Sequence, residues 1–235
     1  MTAGIAFAVI AVPVAIVVHR NINLLAASSF DRPVPVGWGN PEPRGAFELI
    51  GDKRDFWVLD GSGWIRLPSP GVTRRVLIDS VPVGALDLTL AIRPDVPAAG
   101  NVYVYCLLDV TSNGENRAKI RLSPSGAVYT AITSREGTVE SDLLPETRVQ
   151  GLKSDRSLLV RCGSDGAESP MIRLKVWEAG TAEPLAWASQ APSSYHVAEG
   201  VVKVGLQAYA SSQASTPLRI AFDDVLVHRL GDRVP

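Results

Sequence analysis

Residues Met171 to Trp187 read MIRLKVWEAGTAEPLAW. Ile172, Leu174 and Val176 alternate with Arg173, Lys175 and Trp177. A period of two is that of a strand with one face on a core and the other toward solvent or a ligand. Glu178-Ala179-Gly180 breaks the strand, because glycine adopts positive φ at little cost. Pro184 stops further ladder pairing, and Trp187 is expected to fold back as a large apolar plug.

The same pattern recurs on both sides of this stretch. Upstream, short strands are expected at 46–50, 56–59, 64–67, 73–79, 85–93, 101–110, 117–122, 127–133 and 157–162. Downstream they are expected at 201–210 and 218–230. Between them stand turn signals such as Gly51-Asp52, Gly61-Ser62-Gly63 and Ser112-Asn113-Gly114. In the 101–110 run, Val102, Val104, Cys106 and Leu108 form one face; Tyr103, Tyr105, Leu107 and Asp109 form the other. No long helical periodicity follows residue 28. Many short strands joined by turn chemistry imply an all-β fold of two packed antiparallel sheets.

The chain has 235 residues, 20 Gly, 17 Pro and a formal net charge of −1. That charge provides no general field toward nucleic acid or anionic membrane, so no nucleic-acid partner is expected. Residues 3–18 are an unbroken apolar run, AGIAFAVIAVPVAIVV. As a helix it would span about 24 Å, short of a bilayer core of roughly 30 Å. A signal peptide, a membrane anchor and a segment packed in an assembly compete for it. The domain plan is therefore an apolar segment over 1–28, a Pro/Gly linker over 29–44, a sandwich over 45–230 and a tail over 231–235. Trp38, between two glycines of the linker, is expected to pack over a core edge, with a ligand platform as the alternative. Cys106 and Cys162 lie in phase with apolar neighbours, which favours buried thiols, with an inter-strand disulfide as the alternative.

Several pieces in order suggest a family. They are Arg117-Ala-Lys-Ile-Arg121, Arg173-Leu-Lys-Val-Trp177, Glu183-Pro184 with Trp187, Val204-Gly-Leu206 with Tyr209, and Phe222-Asp-Asp224 before the last strand. The series resembles laminin-G-like, concanavalin A-like jelly rolls. It looks closest to versions in actinobacterial secreted proteins and in minor tail proteins of actinobacterial phages. The resemblance spans about residues 30–230. It implies a two-sheet jelly roll that binds glycans or decorates an extracellular or virion surface, with surface polysaccharide or virion proteins as partners. A tail component would also allow a homo-oligomer, and the apolar run would allow membrane contact. Many jelly rolls of this kind hold a structural Ca²⁺ near the chain ends, which would fall on Asp223 or Asp224 with Asp31; the competing reading has one Asp capping a turn and the other solvated, and no cofactor is the favoured expectation.

Glucanases on this fold need paired carboxylates on one strand face. No Glu-x-Asp-x-x-Glu arrangement occurs, Glu136 and Glu140 are expected in or beside a turn, and His196 and His228 lie in no nucleophile-elbow context. The chain is therefore expected to be no enzyme. The outward positions collect Tyr103, Tyr105, Lys119, Arg121, Arg173, Lys175, Trp177, Gln207 and Tyr209. If their strands share one sheet, they make a polar, basic and aromatic face. Aromatic rings offer apolar contact to sugar faces, and Arg and Lys donate to hydroxyls or carboxylates. The expected function is a non-catalytic glycan-binding module, with a structural or assembly domain as the alternative and a diverged glycosidase a distant third.

Overall fold

The computed structural model describes residues 24–43, 45–166 and 168–230. It is all-β: two antiparallel sheets face each other in a jelly-roll sandwich. The strands are β1 (Leu24–Ser28), β2 (Phe47–Ile50), β3 (Phe56–Leu59), β4 (Ser62–Leu67) and β5 (Thr73–Pro82). They continue as β6 (Leu86–Pro94), β7 (Val102–Val110), β8 (Gly114–Leu122), β9 (Val128–Glu136) and β10 (Val139–Arg148). The last are β11 (Leu158–Ser164), β12 (Met171–Glu178), β13 (Ser189–Pro192), β14 (Val201–Ala210) and β15 (Leu218–Arg229). A 3-10 turn, Lys53–Asp55, is the only helical element among the described residues.

One sheet has eight strands in the order β13-β12-β11-β6-β15-β4-β3, with β1 paired to β15. The other has seven, in the order β10-β9-β8-β7-β14-β5-β2. Inward residues of the two sheets form one core, from Val102, Val104, Cys106 and Leu108 on β7 to Ile172, Leu174 and Val176 on β12. Hydrophobic burial of this alternating set holds the sheets together. Cys106 and Cys162 form a disulfide from β7 to β11, and so join the two sheets. The favoured expectation of buried thiols is corrected on this point. Both readings put the cysteines inward, but the side-chain period does not reveal that they face each other across the core.

β15 carries three partners because it is long and bent. Its first half pairs with β4, its second half with β1, and β6 lies along its other side. The register with β6 shifts between Asp223 and Leu226, where Asp224 takes φ 48°. Leu24–Ser28, assigned by sequence to the apolar segment, is thus an integral strand of the eight-stranded sheet. The stretch read as a linker is also seated: Phe30 and Trp38 are buried, and Val34 bridges Val58. Trp38 packs edge-on against Phe30 and Phe47, and its indole N–H donates to the Trp64 carbonyl at 2.9 Å. The apolar run 3–18 and the tail 231–235 lie outside the described residues. Among those described, no helix is long and apolar enough to cross a membrane.

Candidate functional site

The nine outward residues would make one face only if their strands shared a sheet, and they divide between two faces. Tyr103 and Tyr105 on β7, Lys119 and Arg121 on β8, and Gln207 and Tyr209 on β14 point outward from the seven-stranded sheet. Register makes them two rows: Arg121–Tyr103–Tyr209 and Lys119–Tyr105–Gln207. Arg173, Lys175 and Trp177 lie on β12, on the outer face of the eight-stranded sheet. Alternation assigns a side chain to the outside of its sheet, but says nothing of which sheet the strand joins.

The first face is an aromatic patch with a charged border. Tyr103 stacks on Tyr105 at 6.3 Å between ring centroids and tilts against Tyr209 at 5.7 Å. With Leu77, Leu107 and Val110 these rings make a small apolar cluster outside the main core. Burial pushes the Tyr105 hydroxyl well above its usual range. Lys119 lies over the Tyr103 ring at 5.2 Å and Arg117 over Tyr105 at 5.5 Å. Arg121 sits 3.7 Å from the centroid of Tyr129.

Carboxylates from two strands hold these cations. Glu146 on β10 pairs with Lys119 at 3.1 Å and Arg121 at 2.6 Å. Burial pushes its carboxyl up, but bonds from Arg121 and Lys119 outweigh that and leave it lowered. Glu115 on β8 is fully buried and takes Arg117 at 2.6 Å, Arg135 at 3.4 Å and Arg75. Burial again opposes the charge, and Arg117 and Arg75 overrule it, so Glu115 stays ionised below the usual carboxylate range. Arg117 also reaches Glu140 at 2.7 Å. Thr133 Oγ1, Arg75 Nε and Arg135 Nε are buried here without a hydrogen-bond partner. Glu140 and Glu146 were missed as site residues. The signal was present only as charge, since β10 reads VESDLLPETR with no apolar alternation.

On the opposite face, Trp187 is no core plug. It lies outside the eight-stranded sheet, with Lys175 Nζ 4.7 Å, Arg161 5.8 Å and Arg173 6.0 Å from its ring centroid. The loop that carries it is fixed by Glu183, which accepts from Lys175 at 2.9 Å and Arg161 at 3.1 Å.

The acids implied for Ca²⁺ lie around the β15 bend. Asp31 and Asp224 line a cavity of about 550 Å³ with Phe30, Trp38 and Glu42. Asp223 is raised, first by burial and then by the charges of Asp224 and Asp31. Among the described residues, no three His, Cys, Asp or Glu side chains are grouped to hold a metal ion.

No family model and no curated protein matches the chain. Solved structures do. A β-1,3-glucanase from Mycobacterium marinum is 17% identical, with a TM-score of 0.53 over 87% of this chain and 98% of that one. A β-glucanase from Bacillus licheniformis is 13% identical, with a TM-score of 0.52 over 87% and 97%. A structure of botulinum neurotoxin type C, described as entering cells through two ganglioside molecules, is 10% identical, with a TM-score of 0.55 over 92% and 50%. The chain has the concanavalin A-like sandwich of glycosidases and lectin-like domains. Neither the laminin-G nor the phage-tail part of the resemblance is carried by these matches.

The glucanases correct one expectation. The expectation of no enzyme rests on the lack of a linear carboxylate motif and of a nucleophile-elbow context for the histidines, yet hydrolases are built on this architecture. A missing motif on one strand excludes little in a sheet that gathers Glu115, Glu140 and Glu146 from two strands onto one face. Catalysis belongs among the functions the fold admits.

Proposed function

We propose that this chain recognises carbohydrate on the outer face of the seven-stranded sheet. The observation that carries the reading is the double row Arg121–Tyr103–Tyr209 and Lys119–Tyr105–Gln207. It sets neighbouring phenol rings beside amide and cationic donors, the combination that takes both the apolar faces and the hydroxyls of a sugar. A purely structural outer face would need polarity alone. The ion pairs of Glu146 hold Lys119 and Arg121 in place before any ligand arrives, which lowers the entropy cost of binding.

The likeness to glucanases and to a ganglioside-dependent toxin supports a glycan as the ligand class. The disulfide favours an oxidising setting, so we infer an extracellular or surface-displayed protein, the virion surface included. The test uses the full chain against immobilised polysaccharides, with reducing-end release measured in parallel. Retention on a polysaccharide, lost in Tyr103→Ala/Tyr209→Ala with the fold intact, is the expected result. Release of reducing ends would mark the recognised glycan as a substrate. Equal retention of the double variant would remove the tyrosine face from consideration.

A further inference from the structure

A second cavity, of about 280 Å³, opens on the opposite face of the sandwich. Its lining includes Asp87, Arg161, Gly163, Arg173 and Trp187. Strand register builds it. Asp87 on β6, Gly163 on β11 and Arg173 on β12 form one cross-strand row, and Arg161 and Lys175 lie in the row two residues along. Gly163 leaves the centre of the row without a side chain. A Cβ there would stand 2.6 Å from Asp87 Oδ1 and 2.6 Å from the Leu86 carbonyl oxygen. The depression is therefore a property of the paired strands, with backbone as its floor and the Trp187 indole as one wall.

The charges around it are unequally matched. Arg161 donates twice to Asp87 Oδ2, at 3.0 and 2.5 Å, and once to Glu183 at 3.1 Å. Lys175 donates to the same Glu183. Arg173 is held loosely by comparison: the carboxylate paired with it, Asp165, is 3.6 Å away. Its Nε is buried with no acceptor. A buried N–H without an acceptor destabilises a fold unless a ligand or water completes it. Arg173 thus offers a planar donor set to a carboxylate. Asp87 argues against a small inorganic anion, since its own charge would repel one. It would accept hydroxyl protons from a ligand that carries both groups. The volume lies just under the range of about 300–1,000 Å³ for small-molecule pockets, which suits one sugar ring and not an oligosaccharide.

We infer that this cavity binds one acidic sugar residue, a hexuronate, with its carboxylate on Arg173 and a ring hydroxyl on Asp87. The site is independent of the tyrosine face and stands or falls separately from it.

The experiment is an amide-resolved NMR titration of the full chain with glucuronate, glucose and acetate, each at matched ionic strength. Saturable glucuronate shifts centred on Gly163 and Arg173, with weaker or no response to glucose and acetate, are expected. Arg173→Gln should weaken glucuronate roughly tenfold or more, while Tyr103→Ala/Tyr209→Ala should leave it unchanged. Equal response to acetate would reduce the site to a carboxylate contact and overturn the sugar assignment. Equal response to glucose, or shifts confined to the tyrosine face, would overturn the acidic assignment. No saturable shift at all would overturn the site. The ligand comparison in the unmodified chain decides the matter even if Arg173→Gln fails to fold.

Discussion

Two buried carboxylates show how differently the same chemical group behaves in one fold. Glu115 is surrounded by arginines and stays charged; Asp109 accepts only an amide N–H, from Asn116 at 3.0 Å, and burial raises its carboxyl. Removing Glu115 takes the carboxylate from Arg75 and Arg135 and leaves Arg117 with Glu140 alone. Glu115→Gln should cost about 3–5 kcal/mol in urea unfolding, and the tyrosine face should lose order with it. The pH dependence of the two groups has opposite sign. Glu115, depressed when folded, contributes stability above its ordinary value of 4.5 that disappears as pH falls through the lowered value. Asp109, raised when folded, contributes stability below its ordinary value of 3.8 that disappears as pH rises through the raised value. Asp109→Asn should therefore raise the melting temperature at neutral pH and leave it nearly unchanged in acid. A loss of stability at neutral pH would mean that the charge at Asp109 is used.

At the scale of elements, the strands legible in the sequence were those with an apolar face. β7, β12 and β14 show the period plainly because Val102, Ile172 and Val202 begin buried rows that continue at every second residue. β10 and β13 were not legible as strands. β10 is an edge strand with an almost wholly exposed pattern, and β13 has only four residues. Besides its ladder with β9 and the packing of Leu143 and Leu144 on the core, β10 is held by charge reaching across β9: Ala131 and Thr133 are small and face outward between the cations of β8 and the acids of β10. The strand therefore depends on Glu146 more than its burial suggests. Glu146→Gln should lower hydrogen-exchange protection across 139–148 while changing global stability by only about 0.3–1 kcal/mol. Equal loss of protection in β7 would show that β10 is bound to the core and not fastened by its carboxylates.

At the scale of the whole molecule, the sequence resolved the architecture but not the assignment of faces. Tyr103 and Trp177 both read as outward, and both are; only the sheet order shows that a whole sandwich lies between them. The two cysteines present the same problem inside the core, since each faces inward from a different sheet. Their disulfide spans 56 residues, from the middle of β7 to β11. Closing a loop of that length in the unfolded chain is worth about 4 kcal/mol in the chain-entropy account. The bond also ties the sheet bearing the tyrosines to the sheet bearing Arg173, two layers that otherwise meet mainly through apolar contact, with a buried hydrogen bond from Ser189 to Thr130 at 2.8 Å. Cys106→Ala/Cys162→Ala should therefore lower the unfolding free energy by about 2–4 kcal/mol, and reductant should reproduce that loss in the parent chain but not in the variant. Thiol titration of the unfolded, unreduced chain should find no free cysteine. Two reactive thiols together with a reductant-insensitive melting curve would return the pair to buried thiols, and the inference of an oxidising compartment would go with it.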